Sequence, residues 1–369
     1  MKSIEIDRTK LLKDQPGTGH NRWHPDVEPL IDIAPGEELV LEMRDGFGGY
    51  VEPGMTSEEL MAHADFNSVH AMTGPVWVQG AEPGDLLEVE YLDITTETIG
   101  FTAIATGMGF LRDLFTEPYL VHWNIDEGWA TSPQIPGVRV PGAPFTGLAG
   151  VAPSHAQVRA WTARERDAVA RGFSARLPSA AGAVPFKGPA AEEGLRTMPP
   201  RENGGNMDMK QMTQGNRLLL PVFVDGALFS AGDGHFAQGD GEVCVSAVET
   251  GSTAVVRFRL HKGEATRRNI RVPQVQHDTY GVGTPHAGPE RFTATMGLPI
   301  RDDGTNDAEN LNLAARNALI AMIDVLQERG FTRNQAYVIS SVAVDLRVSA
   351  VVDLPNVLVS AVLNEAIFG

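Results

Sequence analysis

The sequence predicts a mainly β protein with an α+β C-terminal portion, built as sandwich- or barrel-like sheets followed by a helix packed on a small sheet. Three observations carry this expectation. Gly 39 and Pro 24 in 369 residues exceed the usual share and punctuate the chain with turns. Short runs of β-branched and large apolar residues lie between those turns. The clearest amphipathic stripe comes late, near the C-terminus.

Residues 1–155 read as an N-terminal β-rich domain. Its strand runs are 38–43, 76–79 and 86–92, separated by Pro35-Gly36, Gly74-Pro75 and Pro83-Gly84. At Ser154 the pattern changes. Ser154 with Gln157 forms a capping box, and Val158 and Trp161 supply a buried side, so the spacing predicts a helix from about 155 to 171. The Ala-, Gly- and Pro-rich stretch 174–200 reads as a long loop, and together these make an insertion over 156–200. A second β-rich block, 201–300, holds the runs 217–224, 243–248 and 254–260. In the α+β portion, 301–369, Asp307 is placed to cap a helix whose stripe is Leu311, Ala315, Ala318, Leu319, Met322 and Leu326, with Gly330 as its stop. Runs 337–344 and 357–363 come next as strands joined through the Asp353-Leu354-Pro355-Asn356 turn. The four blocks are expected to pack as one unit.

Charge and cysteine usage exclude several classes of function. With 30 Lys+Arg against 47 Asp+Glu the formal charge is −17, which repels phosphate backbones and anionic lipid, so neither nucleic acid nor membrane is an expected partner. One cysteine, Cys244, cannot make an intramolecular disulfide and excludes a four-cysteine zinc site. A reducing, cytoplasmic location is the resulting expectation. The charged, alternating residues 1–8 lack the apolar block of a signal peptide, and no run reaches the roughly 18 apolar residues of a spanning helix. Cys244, set in Val243-Cys244-Val245 without a cationic neighbour, reads as an inert core thiol.

Common catalytic signatures are missing: there is no Gly-x-Ser-x-Gly elbow, no Walker A run and no His-Glu-x-x-His. Gly232-Asp233-Gly234-His235-Phe236-Ala237 superficially fits a dinucleotide fingerprint, but Gln238-Gly239-Asp240-Gly241-Glu242 stands where its helix should begin. The segment reads instead as a polar loop. Asp233 and His235 are two apart, so in extended backbone both project to one side and can ligate one divalent metal; a solvated Gly-Asp turn is the alternative. A second cluster, Asp65 through His70 with Asp45 in an earlier loop, can complete a carboxylate and histidine set, although a lone His70 is also a common structural residue. A third, His20 through Asp26, is interrupted by Pro25 and has an arm packing through Trp23 as its alternative. Asn206, Asp208 and Lys210 alternate and would face one way on a strand, as a pocket wall or a salt-bridged edge.

Taken in order, these segments resemble the acetamidase/formamidase family over nearly the whole chain. The matching stretches are 20–26, His70 with Thr73-Gly74-Pro75, 80–87, 150–154, 200–202, 204–208, 232–242 and 352–356. The resemblance implies a mostly-β, homo-oligomeric hydrolase that cleaves small aliphatic amides to carboxylate and ammonia; some relatives look like lactam hydrolases. Formamidase-like members tend to carry Cys at the position of Met207 and His at those of Phe145 and Asn203. Met207 argues against a thiol nucleophile there and moves the chain toward the acetamidase side.

On this reading a divalent metal, zinc first, is held by His70, Asp233 and His235, with Asp65 or Asp45 as further ligands. Such an ion brings the pKa of a coordinated water from about 15.7 to about 7. Glu242, or Asp208 working with Lys210, takes the water proton and delivers it to the departing nitrogen. Asn206 or glycine N–H groups stabilise the oxyanion. A metal-free variant uses the Asp208, Lys210 and Glu242 group directly. A non-catalytic small-ligand or metal-binding oligomer is the alternative from another class, motivated by the altered residues at 145, 203 and 207.

Overall fold

Alternation in residues 38–43 puts Leu39, Leu41 and Met43 on one face, and all three are fully buried in strand Glu38–Met43. Leu87, Val89 and Tyr91 in Leu86–Thr96, and Ala254, Val256 and Phe258 in Ser252–His261, repeat the device. In the computed structural model, which describes residues 1–278 and 291–368, these strands form a six-stranded sheet. Its order is Lys2–Ile4, Glu38–Met43, Ser252–His261, Leu86–Thr96, Arg217–Pro221, Gln274–Gln276.

An 11-stranded sheet faces it, and at its centre Phe229–Ala237 pairs with Phe145–Gly150, Val248–Glu249 and Met72–Val78. Val76, Val78, Phe145 and Phe229 meet the six-stranded sheet in one apolar core, which makes a sandwich. The barrel half of the expectation does not hold. Lys2–Ile4 and Gln274–Gln276 are edges of an open sheet. Strands of the first and second β-rich blocks alternate within both sheets, so each block completes its hydrogen bonding only through the other.

Helix His155–Ala170 starts at Ser154 with both capping-box hydrogen bonds and buries Val158 and Trp161. The segment after it is irregular except for the short helix Pro189–Glu193. At the C-terminal end, helices Leu311–Glu328 and Arg333–Ala343 pack on a sheet ordered Phe292–Gly297, Leu358–Asn364, Val344–Ala350.

Several local expectations are corrected. Gly74-Pro75 lies inside strand Met72–Val78 and not in a turn. Asn310, not Asp307, caps the long helix by accepting from the Leu313 N–H, while Asp307 accepts from the Asn310 side chain. Residues 337–343 are helical, and the strand begins only at Val344. The apolar run 243–248 is a strand only from Val248, because Val245 adopts φ 86° and Ser341 takes the Cys244 N–H out of any ladder. The glycine-laced stretch at 229–237 is a wholly buried strand, and the loop begins only at Gln238.

Candidate active site

Small residues in Phe229–Ala237 let this strand run through the centre of the sheet. A Cβ on Gly232 would come within 2.5 Å of the Ala71 carbonyl, and one on Gly234 within 2.3 Å of Ser252 Oγ. Asp233 adopts φ 59°, which reshapes the strand locally and brings its carboxylate beside the His235 ring. Strand register sets Glu249 directly opposite His235. Asp208 and Glu242 come from irregular segments and also hold left-handed backbone, at φ 46° and 43°. Asp208 is therefore not on a strand with Asn206 and Lys210, and the alternation expected across 206, 208 and 210 breaks after strand Gly204–Asn206.

The result is one buried imidazole ringed by four carboxylates. His235 Nε2 lies 3.3 Å from Asp233 Oδ1, 3.3 Å from Glu249 Oε2 and 4.0 Å from Glu242 Oε1. The ligand atoms of Asp233, His235 and Glu249 fall within 4.8 Å of one another, and so do those of Asp208, His235 and Glu242. Gln238 fixes the ring: its side-chain N–H donates to the Asp208 carbonyl at 2.8 Å, which leaves its Oε1 to accept from His235 Nδ1 at 3.0 Å. With the proton on Nδ1, a neutral ring turns the lone pair of Nε2 toward two carboxylates, and Nε2 has no hydrogen-bond partner among the described residues. Acceptors crowded face to face need a cation between them, either a proton or a metal ion.

The titration behaviour reflects this crowding. Burial works hardest against a charged His235, yet the Glu249 and Asp233 charges hold its pKa well above the ordinary value. Burial, then the Asp233 charge, pushes Asp208 up to about 8. Burial and the Asp208 charge drive Glu242 well above the carboxylate range, and burial also raises Glu249. Asp233 goes the other way, because the His235 and His70 charges outweigh its burial. Two glycines make room for the ring: a Cβ on Gly46 would stand 2.3 Å from Asp233 Oδ1, and one on Gly147 2.6 Å from Asp208 Oδ1.

A cavity of about 70 Å³ is lined by His70, Asn206, Asp233, Glu242 and Glu249, with Phe47, Phe66 and Val245 among its apolar walls. His70 is held by Thr197, whose hydroxyl accepts the His70 backbone N–H. Asn206 donates to Asp208 Oδ2 at 2.8 Å, and among the described residues neither its own Oδ1 nor Asp208 Oδ1 has a hydrogen-bond partner.

Of the residues singled out in the sequence, His70, Asn206, Asp208, Asp233, His235 and Glu242 thus meet at one site. Asp45 lies beside it, with Oδ1 accepting from the N–H groups of Phe47 and Gly49, and burial raises it to about 7. Lys210 is not brought to the ring; its ammonium pairs with Asp345 and lies 3.8 Å from Asp240. Asp65 is spent on the Asn67 backbone and side-chain N–H groups at 2.9 Å. His24 forms a separate group with Asp26 and His155, and buried His20 bonds the Arg22 carbonyl and Ser230. Glu249 escaped sequence reasoning. Its only signal is an acid ending the apolar run 243–248, and nothing in that spacing points to His235.

A carboxylate-ringed imidazole beside a cavity that admits only a small molecule is an arrangement that can perform acid–base or metal-assisted chemistry. Comparison with known proteins gives the family. A model of the acetamidase/formamidase family matches residues 5–369. An acetamidase of Mycolicibacterium smegmatis is 35% identical over 91% of this chain and 88% of its own length. A formamidase of Methylophilus methylotrophus is 32% identical over 96% and 90%. Among solved structures, a gamma lactamase from Delftia acidovorans superposes with a TM-score of 0.93 at 33% identity, covering 100% of this chain and 93% of that one. An acetamidase from Bacillus halodurans gives 0.57 at 26% identity, with 94% and 95% covered. The chain belongs to the acetamidase/formamidase family.

Proposed function

We propose that the chain is an amidohydrolase that cleaves the C–N bond of small aliphatic amides to carboxylate and ammonia at the ring around His235. One observation supports the assignment to this site: His235 Nε2, Asp208 Oδ1 and Asn206 Oδ1 are buried polar atoms of one residue cluster without a partner among the described residues, which a folded chain rarely leaves unspent. Family membership supplies the reaction class.

The donor set fits a divalent ion, zinc in particular, with Asp233, His235 and Glu249 as the holding residues and Asp208 and Glu242 beside the same imidazole. Bound there, the ion supplies Lewis-acid polarisation of water and of the amide carbonyl. The chain's own groups do the rest. Asn206, with one N–H committed to Asp208, turns its carbonyl oxygen to accept an N–H of the substrate amide. Asp208, raised to about 8 by burial and the Asp233 charge, and Glu242, raised by burial and the Asp208 charge, form an acid pair from which one proton passes to the departing nitrogen. His70 lines the same cavity as Asp233. The full-length likeness to a gamma lactamase supports a second reading, in which the amide is cyclic. We also propose a homo-oligomer in a reducing, cytoplasmic setting, with Cys244 free and buried.

Ammonia release, or ring opening for a lactam, is to be measured over formamide, acetamide, propionamide and a lactam, with and without chelator. Turnover of a linear amide that chelation abolishes and zinc restores is expected, and His235→Ala should lose both metal and activity. Full turnover after complete demetallation removes the metal from the proposal. Tight ligand binding with no hydrolysis of any amide favours a non-catalytic binding protein.

A further inference from the structure

A second cavity, of about 220 Å³, adjoins the one over the carboxylate ring, and the two share Phe47, Phe66 and Val69 as lining residues. One layer of side chains separates them. The rings of Phe47 and Phe66 meet edge to face with centroids 6.1 Å apart, and the Phe66 carbonyl is tied down by Arg196 Nη2 at 2.7 Å.

The larger chamber is apolar in effect as well as in composition. Leu12, Tyr50, Ala64, Val184 and Phe186 contribute to its walls. Apart from the exposed Lys13 and the Tyr50 hydroxyl, the polar side chains Asn21, Asp65 and Ser68 of its lining are engaged in internal hydrogen bonds. Asn21 donates to the carbonyls of Ser68 and Gly182 and accepts from Arg22 and the Val184 N–H. Asp65 accepts twice from Asn67, and the Ser68 hydroxyl donates to the Asp65 carbonyl. A guest there meets hydrocarbon and aromatic surface with no buried hydrogen-bonding group waiting for it.

We infer that this chamber receives the acyl substituent of the amide, and that the chain's preferred substrates carry an unbranched alkyl or arylalkyl group larger than the methyl of acetamide. The inference rests on the amidase reading above and extends it to substrate class. The carboxamide lies among Asn206, Glu242 and Glu249, and its apolar tail passes the Phe47–Phe66 pair, which acts as the specificity-determining gate.

The test is ammonia release by the full-length protein, with its metal as isolated, over acetamide, butyramide, hexanamide and phenylacetamide. Burial of each added methylene is expected to raise kcat/KM roughly fourfold until the chamber is filled, so hexanamide should exceed acetamide by at least tenfold on the order-of-magnitude scale of apolar burial. Ala64→Phe, which fills the chamber away from the carboxylate ring, should leave acetamide within about twofold and bring hexanamide down to the acetamide level. Because the substrate series is read on the unsubstituted protein, it decides the matter even if Ala64→Phe fails to fold. Hydrolysis of acetamide with kcat/KM flat or falling along the series overturns the acyl chamber and leaves the amidase reading standing. No release from any amide overturns both.

Discussion

Gly147→Ala tests the carboxylate ring without touching any of its chemical groups. A Cβ at this position would lie 2.6 Å from Asp208 Oδ1, 2.8 Å from His235 Cε1 and 3.0 Å from Asp233 Oδ2. To restore ordinary contact at 3.4 Å, Asp208 Oδ1 must retreat by about 0.8 Å, and His235 and Asp233 must yield in the same step. All three side chains are at a buried site with no slack, and metal–ligand distances tolerate only about 0.2 Å. Misplacement on the scale of 1 Å costs on the order of 10² in rate. Gly147 does not sit at positive φ, so the added methyl brings overpacking, about 1 to 3 kcal/mol, but no backbone strain. The expected result is therefore a folded protein with kcat/KM for acetamide down on the order of 10² and reduced metal content. The matched control is Gly17→Ala, where nothing lies within 4 Å, and it should be silent. Ammonia release, metal analysis and a denaturant midpoint on the three proteins suffice. A Gly147→Ala protein with unaltered turnover and a full metal complement would show that the ring around His235 is not where the reaction occurs.

Three further outcomes come from single features. His20 is wholly buried and held down to about 4 by burial, so the unfolded chain binds a proton that the native chain refuses between about 6.5 and 4. Its contribution to stability is intact above 6.5 and is lost as pH falls, by about 3 kcal/mol at most; His20→Gln should flatten that part of a urea-midpoint profile. Burial pushes the Cys244 thiol up to about 11, so the native protein should resist a thiol reagent at pH 8 and react only in denaturant. Ser154→Ala removes the cap that accepts the Gln157 N–H and should cost about 1 kcal/mol of stability with no change in turnover.

What the sequence made legible was whatever is set by near neighbours. The capping box at Ser154, the alternation over 38–43 and the apolar stripe after residue 310 each encode an element within a few residues, and each is found at the expected place. Errors arose where tertiary partners choose among equal local options. Asp307 and Asn310 are both good caps, and the choice of Asn310 rests on Asp307 being engaged by Arg301 and by the Asn310 amide. At the site, same-side projection of Asp233 and His235 was readable from their spacing, though the positive φ of Asp233 was not. Asp208 and Glu242 hold the same left-handed backbone without being glycine, so no alternation rule can aim them. Glu249 enters through strand register with His235, a contact that exists only once the sheet is assembled.

The charge on the ring leads to a last prediction. Asp208, Asp233, Glu242 and Glu249 are all largely shielded from water around one imidazole, and they cannot all be ionised beside each other unless positive charge is added. Without a metal ion that charge comes from protons: burial and repulsion leave Asp208 at about 8 and raise Glu242 and Glu249, so protons remain on the ring at neutral pH. With a divalent ion His235 and Glu249 become ligands beside Asp233 and give up the protons they hold, while Asp208 and Glu242 keep theirs as the acid pair. Removing the ion with chelator in weakly buffered solution at pH 7 should therefore draw in about one to two protons per ion, after correction for the chelator's own protons. Metal affinity should rise with pH across this range, since the ion competes with protons that leave on their own as the solution becomes more basic. Glu249→Gln, which removes a proton-binding carboxylate from the holding residues, should lower the uptake. Metal release with no proton uptake, and an affinity independent of pH, would mean that the ion sits away from these carboxylates.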